Sequence, residues 1–292
     1  MGVLLLKSLL YGILEGITEW LPISSTGHLI LLESFLTLDV GAQVHPQFPA
    51  QFRELFLVAI QLSAVLAVVT MYHKALFPLT AQKEQRKDAV GIWIRVLVGC
   101  IPAGLAGVLL DKVLEHLIGK DMDGLLYNGF VVALMLVLYG VLFIVIERLQ
   151  KGKIAPVTDI GQMSLGKAWG VGMFQMLSLV PGTSRSGSTI LGGMLLGLDR
   201  ATAAQFSFFM AVPIMVGASG LKALRFIAFM LQNGLRMPYS AVLVLIVACA
   251  VAYITSRLAI RFLMDFTSRH GFSAFGVYRI VLGAAVLIYY LK

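Results

Sequence analysis

Six stretches of the sequence, residues 55–72, 90–110, 125–146, 203–221, 238–256 and 273–291, are long and apolar enough to cross a lipid bilayer as helices. At a rise of 1.5 Å per residue, a hydrocarbon core of about 30 Å needs roughly 20 residues. Four of the six carry no charged side chain, whereas Arg95 and Arg279 fall inside the second and the last and require an internal partner or a snorkelling geometry. Only 13% of the chain is charged and 59% is hydrophobic, with a mean hydropathy of +0.88, against about 25% charged in an ordinary soluble domain. A water-soluble fold is excluded. No polar block is long enough for a separate globular unit, so residues 1–292 read as one polytopic, all-α integral membrane domain.

The 23 Lys and Arg exceed the 15 Asp and Glu by 8, yet no contiguous basic patch with interleaved aromatics accompanies the excess, so nucleic acid is not an expected partner. The lipid bilayer is, and membrane topology accounts for the charge bias. Cys100 and Cys249 lie in apolar stretches without a CxxC or metal-ligand spacing and read as small apolar fillers. The first apolar stretch carries Glu15 and Glu19 and no cleavage site, so it is expected to stay in the mature protein.

Two further apolar regions, residues 3–36 and 168–198, are interrupted at their middles by Pro, Gly and hydroxyl side chains. Each is too short or too broken for two full crossings and is expected to form a re-entrant helical hairpin. Its non-helical tip must then be buried in protein or line a polar cavity at membrane depth. The order is hairpin, three spans, a polar linker over 147–167, then hairpin and three spans again. This predicts two structural repeats, 1–146 and 168–292, joined by a cytoplasmic linker. A shift of 160 positions pairs Gly12 with Gly172, Glu15 with Gln175, Ser24 with Ser184 and Gly27 with Gly187. Because three spans is an odd number, the second repeat enters from the opposite face, an inverted-topology arrangement whose tips meet near the midplane. Twelve Lys and Arg on one side, including Lys74, Lys83, Arg86 and Lys87, against eight on the other, including Lys120 and Lys292, place the denser side in the cytoplasm and both termini outside.

The first tip places Glu15 and Glu19 four residues apart, on one helix face. Such a pair is tolerated in an apolar setting if a divalent cation such as Mg²⁺ or Ca²⁺ bridges it or if one carboxylate holds a proton; otherwise the helix end protrudes into water. Ser24, Ser25 and Thr26 follow, and His28 lies three residues after Ser25, where it can act as base, acid or nucleophile toward a phosphoryl centre. The second tip has glycines that admit close backbone approach, a helix N-terminus, hydroxyls, and the planar cationic fork of Arg185. These features suit a phosphate. Alternatively, Arg185 neutralises Glu15 or Glu19 across the repeat interface. No GKS or GKT follows the Gly/Ser-rich loop, so nucleotide binding is unsupported. His45, His73, His116 and His270 read as surface or interface residues.

The motifs Glu15-x-x-x-Glu19, Pro22-x-Ser24-Ser25-x-Gly27-His28 and Pro181-Gly182-x-Ser184-Arg185-Ser186-x-x-Thr189 resemble those of the bacterial undecaprenyl-diphosphate phosphatases, also called bacitracin resistance proteins. The likeness extends over essentially the whole chain, with a somewhat long segment at residues 39–51. The resemblance implies an enzyme of the bacterial inner membrane. It would hydrolyse undecaprenyl diphosphate to the monophosphate and inorganic phosphate, recycling the carrier lipid for peptidoglycan synthesis and conferring bacitracin resistance. It further implies Ser25 as leading nucleophile, oriented or relieved of its proton by His28 and Glu19, with His28 as the rival. Glu15 and Glu19 would hold the divalent cation; Arg185, with Ser184, Ser186 and Thr189, would clamp the diphosphate, with Ser24, Thr26 and Gly182 as further substrate-binding positions. It leaves open whether the chain acts as a homodimer. The alternative is a transporter or flippase of a phosphorylated polyprenyl lipid, since inverted repeats with broken helices also serve transport.

Overall fold

The computed structural model describes residues 1–77, 83–118, 126 and 128–290. The expected span ends Leu125 and Leu291 and the charges Lys120 and Lys292 lie outside the described residues, as does the side chain of Lys83. Helices account for the architecture, and no strand is present among the described residues. Six of them are long and apolar enough to cross a membrane. These are α3 (Phe48–Met71), α5 (Lys83–Ile118), α6 (Gly129–Gln150), α9 (Arg200–Gln232), α10 (Tyr239–Arg269) and α11 (Ser273–Tyr290); α4 (His73–Leu76) is a single turn. The chain is a multi-pass, all-α membrane protein.

Several helices run well past the stretches expected from hydropathy. The 33 residues of α9 would extend about 50 Å, and α10 continues through Arg257 and Arg261 to Arg269. Hydropathy marks the part of a helix that lipid solvates, whereas the backbone ladder continues into water at little cost until a cap or breaker stops it. The starts are set by side chains: Asn128 accepts from the Val131 amide at 2.9 Å and Asp199 from that of Thr202 at 2.7 Å. Helix α6 continues through Glu147 to Gln150, so the polar connection is shorter than the expected 147–167 linker.

The two interrupted regions form short helix pairs. Helix α1 (Gly2–Thr18) breaks before α2 (Ser25–Phe35), and α7 (Leu165–Met176) breaks before α8 (Arg185–Leu195). Each pair reverses the chain. Lys7 Nζ donates to the Thr37 carbonyl at 2.6 Å and the Tyr11 hydroxyl to that of Leu36 at 2.8 Å, which brings the start of α1 to the end of α2. Phe35 meets Tyr289 at this end of the molecule, where Gly129, the first residue of α6, sits beside Tyr290. The second pair is tied to the other end of α6, where Gln150 Nε2 donates to the Met194 carbonyl at 2.7 Å and Glu147 pairs with Arg200. The 22 residues of α6 separate these ends by about 33 Å. The two reversals therefore face each other from opposite ends of the bundle, and their breaks meet between them.

Packing crosses between the halves: α1 lies along α10 and α7 along α5, while α6 packs on α11 and α3 on both α9 and α10. At Gly12 a Cβ would run into the Ala248 carbonyl and at Gly172 into that of Gly99, so these positions let the broken helices approach the spans at backbone distance. Arg95 and Arg279, the two charges within spans, find carbonyl partners. Arg95 donates to Gly91 and to Gly161 and Met163 of the connection before α7, and Arg279 reaches both breaks.

Candidate active site

Ser24 and Ser184 are the only non-glycine residues at positive φ among the described residues, each at 74°. An L side chain occupies that region at a cost of order 1–3 kcal/mol. Each Oγ also accepts the amide hydrogen three residues on, Gly27 N at 3.2 Å and Gly187 N at 3.1 Å, and so caps the helix that follows. The abrupt turn starts α2 at Ser25 and α8 at Arg185, and both side chains remain half-buried at the lips of a common cleft.

Arg279 holds the two breaks together. It is fully buried, and its guanidinium donates to the carbonyls of Pro22 at 3.1 Å, Gly182 at 2.9 Å and Thr183 at 3.0 Å while lying 5.5 Å over the Tyr139 ring. Gly182, at φ 90°, admits the Val132 backbone, which a Cβ would strike. Ser186 Oγ adds a bond to the Glu19 carbonyl at 3.3 Å.

Between the breaks lies a cleft of about 190 Å³ lined by Glu19, Ser25, Thr26, Gly182, Ser184, Arg185 and Ser186, with Gln61 from α3, Ser178, and the apolar Val180, Ile214 and Met215. Glu19 is its hub. One carboxylate oxygen accepts from Arg185 at 2.8 Å and the other from the Ser25 hydroxyl at 2.7 Å. The ion pair anticipated as the alternative role of Arg185 is thus present, with side-chain exposures of 13% and 6%. The rest of the Arg185 fork bonds the Ser207 carbonyl at 2.7 Å and stacks 5.7 Å from Trp20, a fully buried ring held edge-on by Phe208.

The remaining expected residues fall around this hub unequally. Thr26, Gly182, Ser184 and Ser186 line the cleft, whereas Ser24 is buried beneath it as a cap. Thr189 is buried behind it, 2.7 Å from Ser207 Oγ, and supports the residue that holds Arg185. His28 does not reach Ser25. Its Nδ1 bonds the Ser24 carbonyl at 2.7 Å and its Nε2 the Tyr278 hydroxyl at 2.7 Å, with the two rings stacked. A carbonyl only accepts, so Nδ1 carries the hydrogen, and in the neutral ring Nε2 then accepts that of Tyr278.

Glu15 is fully buried, and neither carboxylate oxygen has a hydrogen-bond partner; Gln175, its counterpart at a 160-residue shift, is likewise buried with an unpartnered amide. Among the described residues no three His, Cys, Asp or Glu side chains converge as a metal cage. Mg²⁺ keeps several waters and takes one or two carboxylates together with substrate phosphates. Of the two carboxylates only Glu19 lines the cleft; Glu15, one turn away, is fully buried beside it, and its orphaned oxygens leave it free to join a cation held by Glu19 and substrate phosphates.

Reading the sequence did not single out Gln61, Ser178, Ser207 or Tyr278. The signal for Gln61 was a carboxamide alone in an uncharged span; for the others there was none beyond chain position.

The family model described as bacitracin resistance protein BacA matches residues 8–285. The chain belongs to this family. Among its relatives are an undecaprenyl-diphosphatase of Desulfitobacterium hafniense, 44% identical over 287 residues (97% of this chain and 95% of the relative), and one of Enterococcus faecalis, 43% identical over 288 residues (97% and 96%). A third, an undecaprenyl-diphosphatase of Streptococcus thermophilus, is 45% identical over 287 residues (98% and 93%). Both broken-helix tips lie within the residues that the BacA model matches.

Proposed function

We propose that this protein hydrolyses undecaprenyl diphosphate to undecaprenyl phosphate and inorganic phosphate, the activity in its relatives' names, and that Ser25 is the nucleophile. The observation that carries the assignment is the Ser25–Glu19–Arg185 chain across the two breaks. The relatives' names favour this reading over transport.

In the proposed reaction the terminal phosphoryl group enters the cleft while the polyprenyl tail stays among lipid chains. Arg185 turns its fork from Glu19 to the phosphoryl oxygens, leaving Glu19 with Ser25 as its remaining partner. Ser25 Oγ attacks the terminal phosphorus as Glu19 takes the hydroxyl proton. The Oγ–P bond forms and the bond from that phosphorus to the bridging oxygen breaks. Undecaprenyl phosphate departs with the bridging oxygen, which takes the proton from Glu19. Water then attacks the phosphoserine, its hydroxyl going to phosphorus and its remaining hydrogen to Ser25. His28, occupied at both nitrogens, serves by fixing the Ser24 carbonyl and hence the turn that presents Ser25. A divalent cation on Glu15 and Glu19 would neutralise charge on the phosphoryl oxygens.

The same reading makes the two helix pairs re-entrant hairpins of an inverted repeat, 1–146 and 168–292 about a cytoplasmic 147–167 linker, in the bacterial inner membrane with the cleft opening outward. The opposed chain reversals and the Lys/Arg bias support it. Labelling of Lys87→Cys from outside intact cells would overturn the orientation.

The deciding experiment is phosphate release from undecaprenyl diphosphate by purified protein, with and without Mg²⁺ or Ca²⁺. Wild type releases phosphate; Ser25→Ala, folded by its melting curve, does not. Unaltered release from Ser25→Ala would remove Ser25 from the role.

A further inference from the structure

Outside the two breaks, the lining of the cleft includes one polar side chain that the reaction above does not use. Gln61 lies on α3, more than two turns inside either end of that helix, where mean hydropathy reaches 2.1. Ile60 beside it and Phe56 and Ala64 on the adjoining turns are buried against other helices at 0–1% exposure, whereas Gln61 is half-buried and lines the cleft with Glu19, Ser25 and Arg185.

Among the described residues its carboxamide makes no hydrogen bond. Most other polar groups of the cleft are engaged: both Glu19 oxygens are taken, Ser178 donates to the Gln175 carbonyl at 2.6 Å, and Ser184 is bonded to Gly187 N and lies 3.2 Å from Ser186 Oγ, while the Thr26 hydroxyl beside Ser25 likewise makes no hydrogen bond among the described residues. The carboxamide is half-exposed to the cleft and so is available to whatever enters there. Of its two ends, the amide nitrogen has two hydrogens to give, and phosphoryl oxygens only accept.

We propose that Gln61 is a further substrate-contacting residue, its side-chain N–H donating to a phosphoryl oxygen of the diphosphate from α3. The inference rests on the phosphatase reading and adds a neutral donor to it. Arg185 supplies charge from the second break; Gln61, on a continuous helix that belongs to neither break, supplies a fixed direction. A diphosphate held both by Arg185 and by a donor on a separate helix is more narrowly oriented toward Ser25 than one held by the cation alone.

The test uses Gln61→Leu, which removes the donor, and Gln61→Glu, which keeps the shape but sets a carboxylate against phosphate. Loss of a hydrogen bond to a charged group predicts a kcat/KM reduced about 10- to 100-fold in Gln61→Leu. Gln61→Glu falls further, and both melt like wild type. A parallel measurement, thermal stabilisation by a farnesyl methylenebisphosphonate whose P–C–P link cannot be cleaved, reads the contact without turnover. Wild type is stabilised, Gln61→Leu less so and Gln61→Glu least. Equal behaviour of all three in both assays overturns the proposal. So does an equal loss in the two variants accompanied by equal loss of melting temperature, which marks a packing role. If wild type releases no phosphate yet the stabilisation follows the expected order, the phosphatase reading fails while the Gln61 contact stands.

Discussion

Ser24 and Ser184, 160 positions apart, share one backbone conformation, φ 74°, and one task, accepting the amide hydrogen three residues on to begin a helix. Each is followed at once by a residue of the Glu19 hub, Ser25 in one case and Arg185 in the other. A sharp, strained turn at the same place in both pairs aims the nucleophile candidate and the cation at a single carboxylate. Strain of this kind persists where surrounding structure holds it, here through Arg279 and the caps.

Replacing Ser24 with Ala keeps the strained φ and removes the cap, a loss of about 1 kcal/mol and roughly 2–4 °C in melting temperature. Ser24→Gly relaxes the backbone and gives up only the cap, so it melts above Ser24→Ala. Thermal unfolding in detergent reads the order, and the reverse order would show that the turn is unstrained.

The Glu19–Arg185 pair is nearly dry, with side-chain exposures of 6% and 13%. Removing one partner of such a pair leaves an uncompensated charge and costs about 3 kcal/mol or more. Arg185→Met is therefore less stable than the double variant Glu19→Gln with Arg185→Met, which regains stability without regaining turnover. Loss of the proton acceptor alone lowers kcat about 10²- to 10⁴-fold. Near-normal phosphate release from either single variant would remove that residue from the reaction.

Tyr278→Phe deletes the hydroxyl that occupies His28 Nε2 and removes one hydrogen bond, worth about 1 kcal/mol. With His28 acting only through the Ser24 turn, turnover falls by less than about tenfold and the melting temperature falls by a few degrees. A loss of several hundredfold at unchanged stability would bring the imidazole into the chemistry.

The bare, buried carboxylate of Glu15 predicts that chelation stops phosphate release and that added Mg²⁺ or Ca²⁺ restores it. Glu15→Gln then needs a higher cation concentration for half-maximal rate. An unchanged metal titration in Glu15→Gln would exclude Glu15 as a ligand.

Arg279→Met strands the carbonyls of Pro22, Gly182 and Thr183, a cost of about 3 kcal/mol or more, since each buried unsatisfied group forfeits roughly 1–3 kcal/mol. Arg279→Lys, with three donors but no planar fork, lies between Met and wild type in melting temperature and in kcat. Equal melting of all three would show that the breaks hold together without this residue.

Much of this architecture was written locally. Uncharged stretches of about 20 residues mark spans wherever they occur, and Pro, Gly and hydroxyl residues inside apolar runs mark breaks. Both breaks stand where expected, at 19–24 and 177–184, and the residues gathered at the cleft come from the two motifs that flank them. A span tells less about where its helix ends, because hydropathy reports solvation by lipid rather than the hydrogen-bond ladder, which is why α9 and α10 overran their expected bounds.

What the sequence by itself determined was the membrane class, the two breaks and the residue types at their tips, since each of these follows from side chains close together in the chain. Only the tertiary structure decided their partners. Glu19 takes Arg185 from 166 positions away and His28 takes Tyr278 from 250 away; Arg279 closes both breaks, and Gln61 enters the cleft from a helix outside either motif. A buried polar group bonds to whichever group the packing of distant helices brings within about 3 Å, and that choice depends on how the helices pack rather than on spacing along the chain.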